Sequence, residues 1–278
     1  MLILNNKIDL AKLDRIGLIA GTGELPQILA KQAAKDNIKV IAIALSKDSI
    51  TFLEPFCYKV FHLGIGQTNK ILKTLKNEKI KDVIVIGKVE KKIIFQMKIF
   101  DLRALNILRK MKLKDDKSLM SVVIDELKLE GITCLDQSLF LKELLPSKGV
   151  LTKKKPNKSE WEDIRYGFSI AKETARMEIG QTVIVKDKSI VAVEAMEGTD
   201  QTIMRGVNIA GKGSVVIKVS RPKQDFRYDI PTVGETTLSM MIKGKASILA
   251  LEAERTLVIN KDKMVENADK YKISIVAV

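Results

Sequence analysis

Histidine is nearly absent: His62 is the single one in 278 residues. That excludes histidine-rich zinc hydrolases and two-metal phosphoesterases built on several imidazoles, so any catalysis must run mainly on carboxylates, lysines, arginines and backbone dipoles. There are two cysteines, Cys57 and Cys134, too far apart for a CxxC or a metal-ligand spacing, which fits a reducing cytoplasmic compartment. Gly (16) and Pro (6) are too few for a collagenous or low-complexity chain. Aromatics make up 5% and no aromatic–basic stacking motif occurs, so no nucleic-acid partner is expected. No apolar run approaches the roughly 20 residues that span a bilayer. Residues 1–14 are too polar for a signal peptide and read as an extension to which no role attaches.

What is present is a 46% hydrophobic, 29% charged chain of net charge +14, enough apolar content for a buried core. The positive excess is spread over both halves, 26 basic against 17 acidic residues in 1–150 and 22 against 17 in 151–278. An anionic partner or a lysine-rich solvated surface would each account for it. In the first half, short apolar runs alternate with helical segments: strands at 16–20, 40–45, 60–63, 83–86 and 132–134, helices at 26–35, 68–77, 101–111 and 118–130. The pattern predicts a Rossmann-like domain over 1–145 with a parallel, helix-covered sheet. Residues 146–158, with two prolines, a glycine and a run of lysines, read as an exposed linker. Residues 159–278 read as a mixed α+β domain, with helices at 160–176 and 239–254 and strands at 182–186, 190–194, 214–219 and 273–276.

Three motifs carry chemistry. Gly21-Thr22-Gly23 follows a strand and opens a helix, where backbone amides and the helix dipole suit phosphate. It lacks the third glycine of a dinucleotide loop, and no acid ends the second strand to hold a ribose. Glu194, Glu197 and Asp200 place three carboxylates in seven residues, with no lysine between Ser189 and Met204. They are hard oxygen donors of the kind Mg2+ or Mn2+ prefers, with Thr199 among them and Arg205 just beyond. The run from Lys218 to Gly234 sets Arg221, Lys223 and Arg227 among Asp225, Asp229 and two prolines. Cations that hold phosphate oxygens beside carboxylates that hold metal or activate water suit phosphoanhydride chemistry. Gly206–Gly213 imitates P-loop spacing, but has Gly213 where Ser or Thr should bind magnesium, and is rejected. His62 reads as a surface or structural residue. Lys91–Phe100 mixes basic and apolar residues and reads as core packing or as a membrane-facing stretch.

Taken in order, IGLIAGTGELP, IGQTVIVKDKSIVAVEAMEGTD with Arg205, and KQDFRYDIPTVGETT resemble the UDP-2,3-diacylglucosamine pyrophosphatases of Gram-negative lipid A biosynthesis that are unrelated to calcineurin-like phosphoesterases. The resemblance runs from about Arg15 to the C-terminus. It implies hydrolysis of UDP-2,3-diacylglucosamine to 2,3-diacylglucosamine 1-phosphate and UMP, a divalent cation, two domains with the lipid product between them, and attack at the β-phosphorus. It implies that Asp225 is the key catalytic residue, as general base or as metal ligand. Glu194, Glu197, Asp200 and Asp229 are the candidates to share the metal with it. Arg205, Lys223 and Arg227 would offset phosphate charge, and Thr199, Gln224 and Thr232 would be further substrate contacts with the Gly21–Gly23 loop. Met196 and Glu178 depart from the family's isoleucine and aspartate. A cytoplasmic enzyme on such a substrate would sit peripherally on the inner membrane, and a homo-oligomer is compatible with all of this. A nucleotide- or phospholipid-binding regulator without turnover is the competing expectation, against which the carboxylates of 194–229 speak.

Overall fold

The computed structural model describes residues 10, 13–89, 100–111 and 116–278. The extension before Leu13, Leu10 aside, and the basic–apolar stretch from Lys91 to Ile99 lie outside them. The chain divides into two compact units, 1–140 and 141–278.

The first unit alternates β1 (Arg15–Ala20), α1 (Leu25–Lys35), β2 (Lys39–Ala44), α2 (Asp48–Leu53), β3 (Lys59–His62), α3 (Thr68–Asn77), β4 (Asp82–Ile86), α4 (Leu102–Lys110), α5 (Asp116–Leu129) and β5 (Thr133–Cys134). The strands pair in parallel in the order β3-β2-β1-β4-β5. β1 and β2 bury nearly every residue because helices cover both faces, which explains why they read as continuous apolar runs. Pro26 occupies the first turn of α1, where its missing N–H costs nothing. The Asp101 carboxylate caps α4 through the Ala104 amide at 2.8 Å and also accepts from the Asn69 amide in α3 at 2.8 Å.

The second unit contains β6 (Gly149–Val150), α6 (Lys158–Arg176), β7 (Thr182–Lys186), β8 (Ser189–Val193), α7 (Thr199–Ala210), β9 (Val215–Lys218), β10 (Thr232–Val233), α8 (Glu235–Lys243), β11 (Ile248–Leu251), β12 (Leu257–Val258), α9 (Lys261–Lys270) and β13 (Ser274–Ala277). Six strands form a mixed sheet in the order β6-β13-β11-β9-β7-β8, and β10 pairs with β12 apart from it. β9, β11 and β13 are parallel, whereas β6, β7 and β8 join antiparallel. α6 covers one face through Ile164 and Ala171 on Val183, Val185, Val215 and Ile217. α7, α8 and α9 cover the other through Ile203, Val207, Met241 and Met264 on Ile184, Val216, Leu249 and Ile275. Among the described residues no helix is long and apolar enough to cross a membrane.

Two expectations are corrected. The helix expected over 239–254 is α8 followed by the central strand β11. Gly244 follows the last turn of α8, and Ile248–Leu251 is a fully buried apolar run, which periodicity cannot tell from a buried helix. The segment 146–158 is not an exposed linker. Val150 pairs with Val276, the Thr152 hydroxyl accepts from the Ile275 amide at 2.9 Å, and Asn157 closes a capping box with Glu160 at the start of α6.

α4 and α5 are tied by charge. Glu126, 8% exposed, accepts from Lys110 at 2.7 Å and Arg103 at 3.0 Å, and Glu130 pairs with Arg103 and Lys76. The Lys110 ammonium, outweighing the cost of burial, holds the Glu126 carboxyl below its usual range. A depressed native pKa stabilises above the unfolded value, roughly 4.3, and the contribution is lost as pH falls through the native one. We expect Glu126→Gln to lower the thermal midpoint of the first unit at pH 7, and the two midpoints to converge below about pH 4. Parallel curves from pH 7 to 3 would show that the ion pairs carry no stability.

Candidate functional site

β7 runs against β9 and β8 runs against β7, so β8 points the same way as β9, β11 and β13. Glu194 after β8, Lys218 at the end of β9 and Glu252 after β11 therefore emerge at one edge of the sheet. The carboxyl edge of parallel strands is where α/β sheets present loops to ligands.

At that edge the sequence motifs become geometry. Gly198, at φ +81°, turns the chain from β8 into α7. The Thr199 hydroxyl, in the first turn of α7, donates to Glu194 Oε1 at 2.9 Å and accepts from Lys218 Nζ at 2.6 Å. Lys218 is buried and lies opposite Thr182 in the β7–β9 pairing. Glu194 Oε2 also accepts from the Gln181 amide at 3.3 Å. Arg205 donates to Glu197 at 2.5 Å and to the Val193 carbonyl at 3.0 Å; the Arg205 guanidinium holds the Glu197 carboxyl below its ordinary range. Among the described residues, the side chains of Asp200 and Lys223 have no hydrogen-bond or ion-pair partner.

The loop from Ser220 to Ile230 carries Asp225. Its carboxylate is gripped by Arg227, with Nε 2.9 Å from Oδ1 and Nη2 2.6 Å from Oδ2, and accepts from the Arg227 amide at 3.1 Å. Burial pushes the Asp225 carboxyl up, but these Arg227 contacts outweigh it and hold the group below the usual carboxylate range. At neutral pH it is an ionised, acceptor-only group. Asp229 pairs with Arg221 at 2.8 Å, and the Gln224 amide group bridges the Arg221 amide and Asp229. Thr232 lies on β10, its hydroxyl bonded to the Ile230 carbonyl at 2.9 Å.

Two groups of residues at this edge escaped the sequence reading. Lys218 counts as one basic residue among four until its strand places it in the interior. Glu252, Lys172, Ser220 and Arg255 form a network: Glu252 accepts from Lys172 Nζ at 2.9 and 3.0 Å and from the Ser220 amide and hydroxyl at 2.7 and 2.8 Å. Arg255 Nε donates to the Ser220 hydroxyl at 2.5 Å. Nothing local in the sequence signals this, since its members come from α6 and from the exits of two strands.

The acids expected to share a metal are each engaged elsewhere or isolated. Among the described residues, no three histidine, cysteine, aspartate or glutamate side chains come together to hold a metal ion. A protein-built cage from Glu194, Glu197, Asp200, Asp225 and Asp229 does not fit this arrangement.

In the first unit, Gly21 donates its amide to the Ile86 carbonyl and Thr22 exchanges backbone hydrogen bonds with Lys88, all at 2.8 Å. The amides expected to cradle phosphate at these two residues are thus spent in tying β1 to the end of β4. A cleft of about 260 Å³ opens beside them, lined by Thr22, Gly23, Glu24, Asp48, Ser49 and Phe52 among others. Among the described residues that line it, none is basic. Its two acids suit a hydroxyl-rich or neutral ligand better than a phosphate.

Fold and site define a class: a two-unit α/β protein with a Rossmann-like first unit and a charge-lined loop at the carboxyl edge of a mixed second sheet. The chain belongs to the LpxI family, residues 15–144 matching the LpxI N-terminal domain and 147–276 the LpxI C-terminal domain. The UDP-2,3-diacylglucosamine pyrophosphatase LpxI of Caulobacter vibrioides is 29% identical to it over 277 residues, covering 95% of this chain and 97% of that protein. Two solved structures of N5-carboxyaminoimidazole ribonucleotide synthetase, one of them from Thermotoga maritima, are 18% and 14% identical, with TM-scores of 0.25 and 0.27. They align with 66% and 69% of this chain and 42% and 44% of theirs, and a likeness that weak says nothing about function.

A Cβ on Gly21 would lie 2.4 Å from the Lys88 carbonyl oxygen and 2.9 Å from Gly87, both backbone. We expect Gly21→Ala to destabilise the first unit by about 1–3 kcal/mol. Trp161, the one tryptophan, lies in α6 and reports the second unit. Circular dichroism should show an earlier transition while Trp161 emission melts as in the wild type. An unshifted far-ultraviolet transition would mean that the β1–β4 junction can yield.

Proposed function

We propose that this protein hydrolyses the pyrophosphate of UDP-2,3-diacylglucosamine, giving 2,3-diacylglucosamine 1-phosphate and UMP. The observation that carries the reading is the Asp225 carboxylate, ionised and fixed by Arg227 on a proline-bounded loop at the carboxyl edge, in a chain both of whose halves match the LpxI family. The Caulobacter relative bears the name of this activity.

In the mechanism we propose, Asp225 accepts a proton from the attacking water as the water oxygen bonds to phosphorus. The bond from that phosphorus to the bridging oxygen breaks, and the bridging oxygen leaves with the other phosphate. The resemblance favours the β-phosphorus, which would place the water oxygen in the sugar phosphate. Arg227, Arg205 and Lys223 would face phosphate oxygens, Arg227 turning from Asp225 toward them. Thr199 and the first turn of α7, with Gln224 and Thr232, would complete the contacts. The regulator without turnover has no use for a base held ionised in this way.

A divalent cation is a separate part of the proposal. With no cage among the described residues to receive it, Mg2+ or Mn2+ would be held by substrate phosphates and one or two of the acids, the usual manner of magnesium. It would supply charge neutralisation.

We expect Asp225→Asn to lower kcat about 10²–10⁴-fold with an unchanged thermal midpoint. A folded Asn variant with more than about a tenth of wild-type turnover is incompatible with Asp225 as the base. EDTA should abolish UMP release and Mg2+ restore it, whereas titrating Mg2+ into the substrate-free protein should give little heat. Full activity in EDTA would remove the cation from the reaction.

We further propose that the protein is cytoplasmic and meets its acylated substrate at the inner-membrane surface, held there by its net charge of +14. High salt should then release it from membrane fractions. Extraction only by detergent would contradict attachment by charge.

A further inference from the structure

Asp225 is gripped by Arg227 on its own loop, so that grip cannot by itself aim the carboxylate. Something outside the loop has to set its direction. From the turn after β11, Glu252 holds the loop at Ser220, and Arg255 reaches further along it. Its guanidinium carbon lies 5.0 Å from the centroid of the Phe226 ring, Nη2 reaches the Arg221 carbonyl at 3.4 Å, and Nε donates to the Ser220 hydroxyl. Ser220 is anchored in turn, since its hydroxyl and amide both donate to Glu252 Oε2. One residue thus spans the loop from its first position to the residue after Asp225, and its own amide donates to the Glu252 carbonyl at 3.3 Å, just past the end of β11.

We propose that Arg255 is a positioning residue for Asp225, acting through its stack on Phe226. The inference rests on the reading of Asp225 as the base. Phe226 is the residue next to Asp225, so a ring held in place restrains the backbone from which the Asp225 side chain departs. A planar guanidinium is the group that can lie on that ring and still donate sideways to Ser220 and Arg221; an ammonium has the charge without the plane. Misplacing a reacting group by about 1 Å can cost as much as 10²-fold in rate.

The test is steady-state hydrolysis of UDP-2,3-diacylglucosamine by the full chain, with the thermal midpoint and Trp161 emission recorded for every variant. Arg255→Met should lower kcat about 10- to 100-fold, with KM within about twofold of wild type. Arg255→Lys should not restore it. Phe226→Leu should cost a similar factor, and the double variant should lose no more than the larger single loss, because both changes remove one contact. A folded Arg255→Met with more than half of wild-type kcat overturns the proposal, as do rescue by lysine or losses that multiply in the double variant. If Arg255→Met does not fold, Phe226→Leu decides alone: a folded variant with wild-type kcat overturns it, and a kcat loss at constant KM supports it. A wild-type protein that does not cleave the substrate would sink the proposed function itself, an outcome separate from all of these.

Discussion

The second unit depends on one carboxylate. Glu252 leaves β11 at the centre of the mixed sheet, 14% exposed, and receives Lys172 from α6 and both donors of Ser220 from the exit of β9. Its own amide donates to the Lys218 carbonyl at 3.0 Å, so the backbone stitches the same strand ends that the side chain does. Removing one partner of a buried ion pair costs about 3–5 kcal/mol. The cost here is smaller, because Lys172 is about a quarter exposed. What the arrangement fixes is the point from which the loop of 220–230 departs. A loop anchored at a strand end holds a geometry that a loop held only by its own contacts does not.

Direction in the sheet explains why so many charged residues gather there. Lys218 is nearly buried because its stem belongs to a strand packed on both faces, and only the strand's end brings its ammonium to Thr199. Thr199 accepts from that ammonium and donates to Glu194, whose carboxylate completes a chain of donor and acceptor across β9, α7 and the exit of β8. The same strand direction delivers Glu194 and Glu252 to this edge, although 58 positions separate them in the sequence.

Much of the fold could be read from the chain, for physical reasons that also explain what could not. β1, β2 and β4 are buried on both faces, so they stand out as apolar runs between helices, and the parallel Rossmann-like sheet follows from the alternation. β11 is as apolar as those strands, but only the four residues 244–247 separate it from α8, too short a break to mark the change from helix to buried strand. The lysines of 153–155 suggested a solvated linker, but a two-residue edge strand needs few apolar positions to pair. Among the candidate residues, Asp225 with Arg227 and Glu194 with Thr199 each have one partner within five positions, a spacing that the sequence displays. Lys172, Ser220, Glu252 and Arg255 were not legible, since a hydrogen bond between positions 172 and 252 leaves no trace in local spacing.

The site separates two kinds of ion pair. Glu252, 14% exposed, is enclosed and held by four hydrogen bonds from Lys172 and Ser220, as an anchor must be. The pairs Asp225–Arg227, Asp229–Arg221 and Glu197–Arg205 are at least a quarter exposed on every side chain. Exposed pairs contribute little to stability, because water already solvates both partners. That makes them exchangeable: an arginine that leaves a carboxylate for a phosphate oxygen gives up little and gains a doubly anchored anion. The carboxylate it leaves is then free to take a proton or a cation beside that phosphate. Acids committed to arginines therefore fit a site that assembles around its anion, whereas a standing metal cage would need those acids turned toward one another before the substrate arrives.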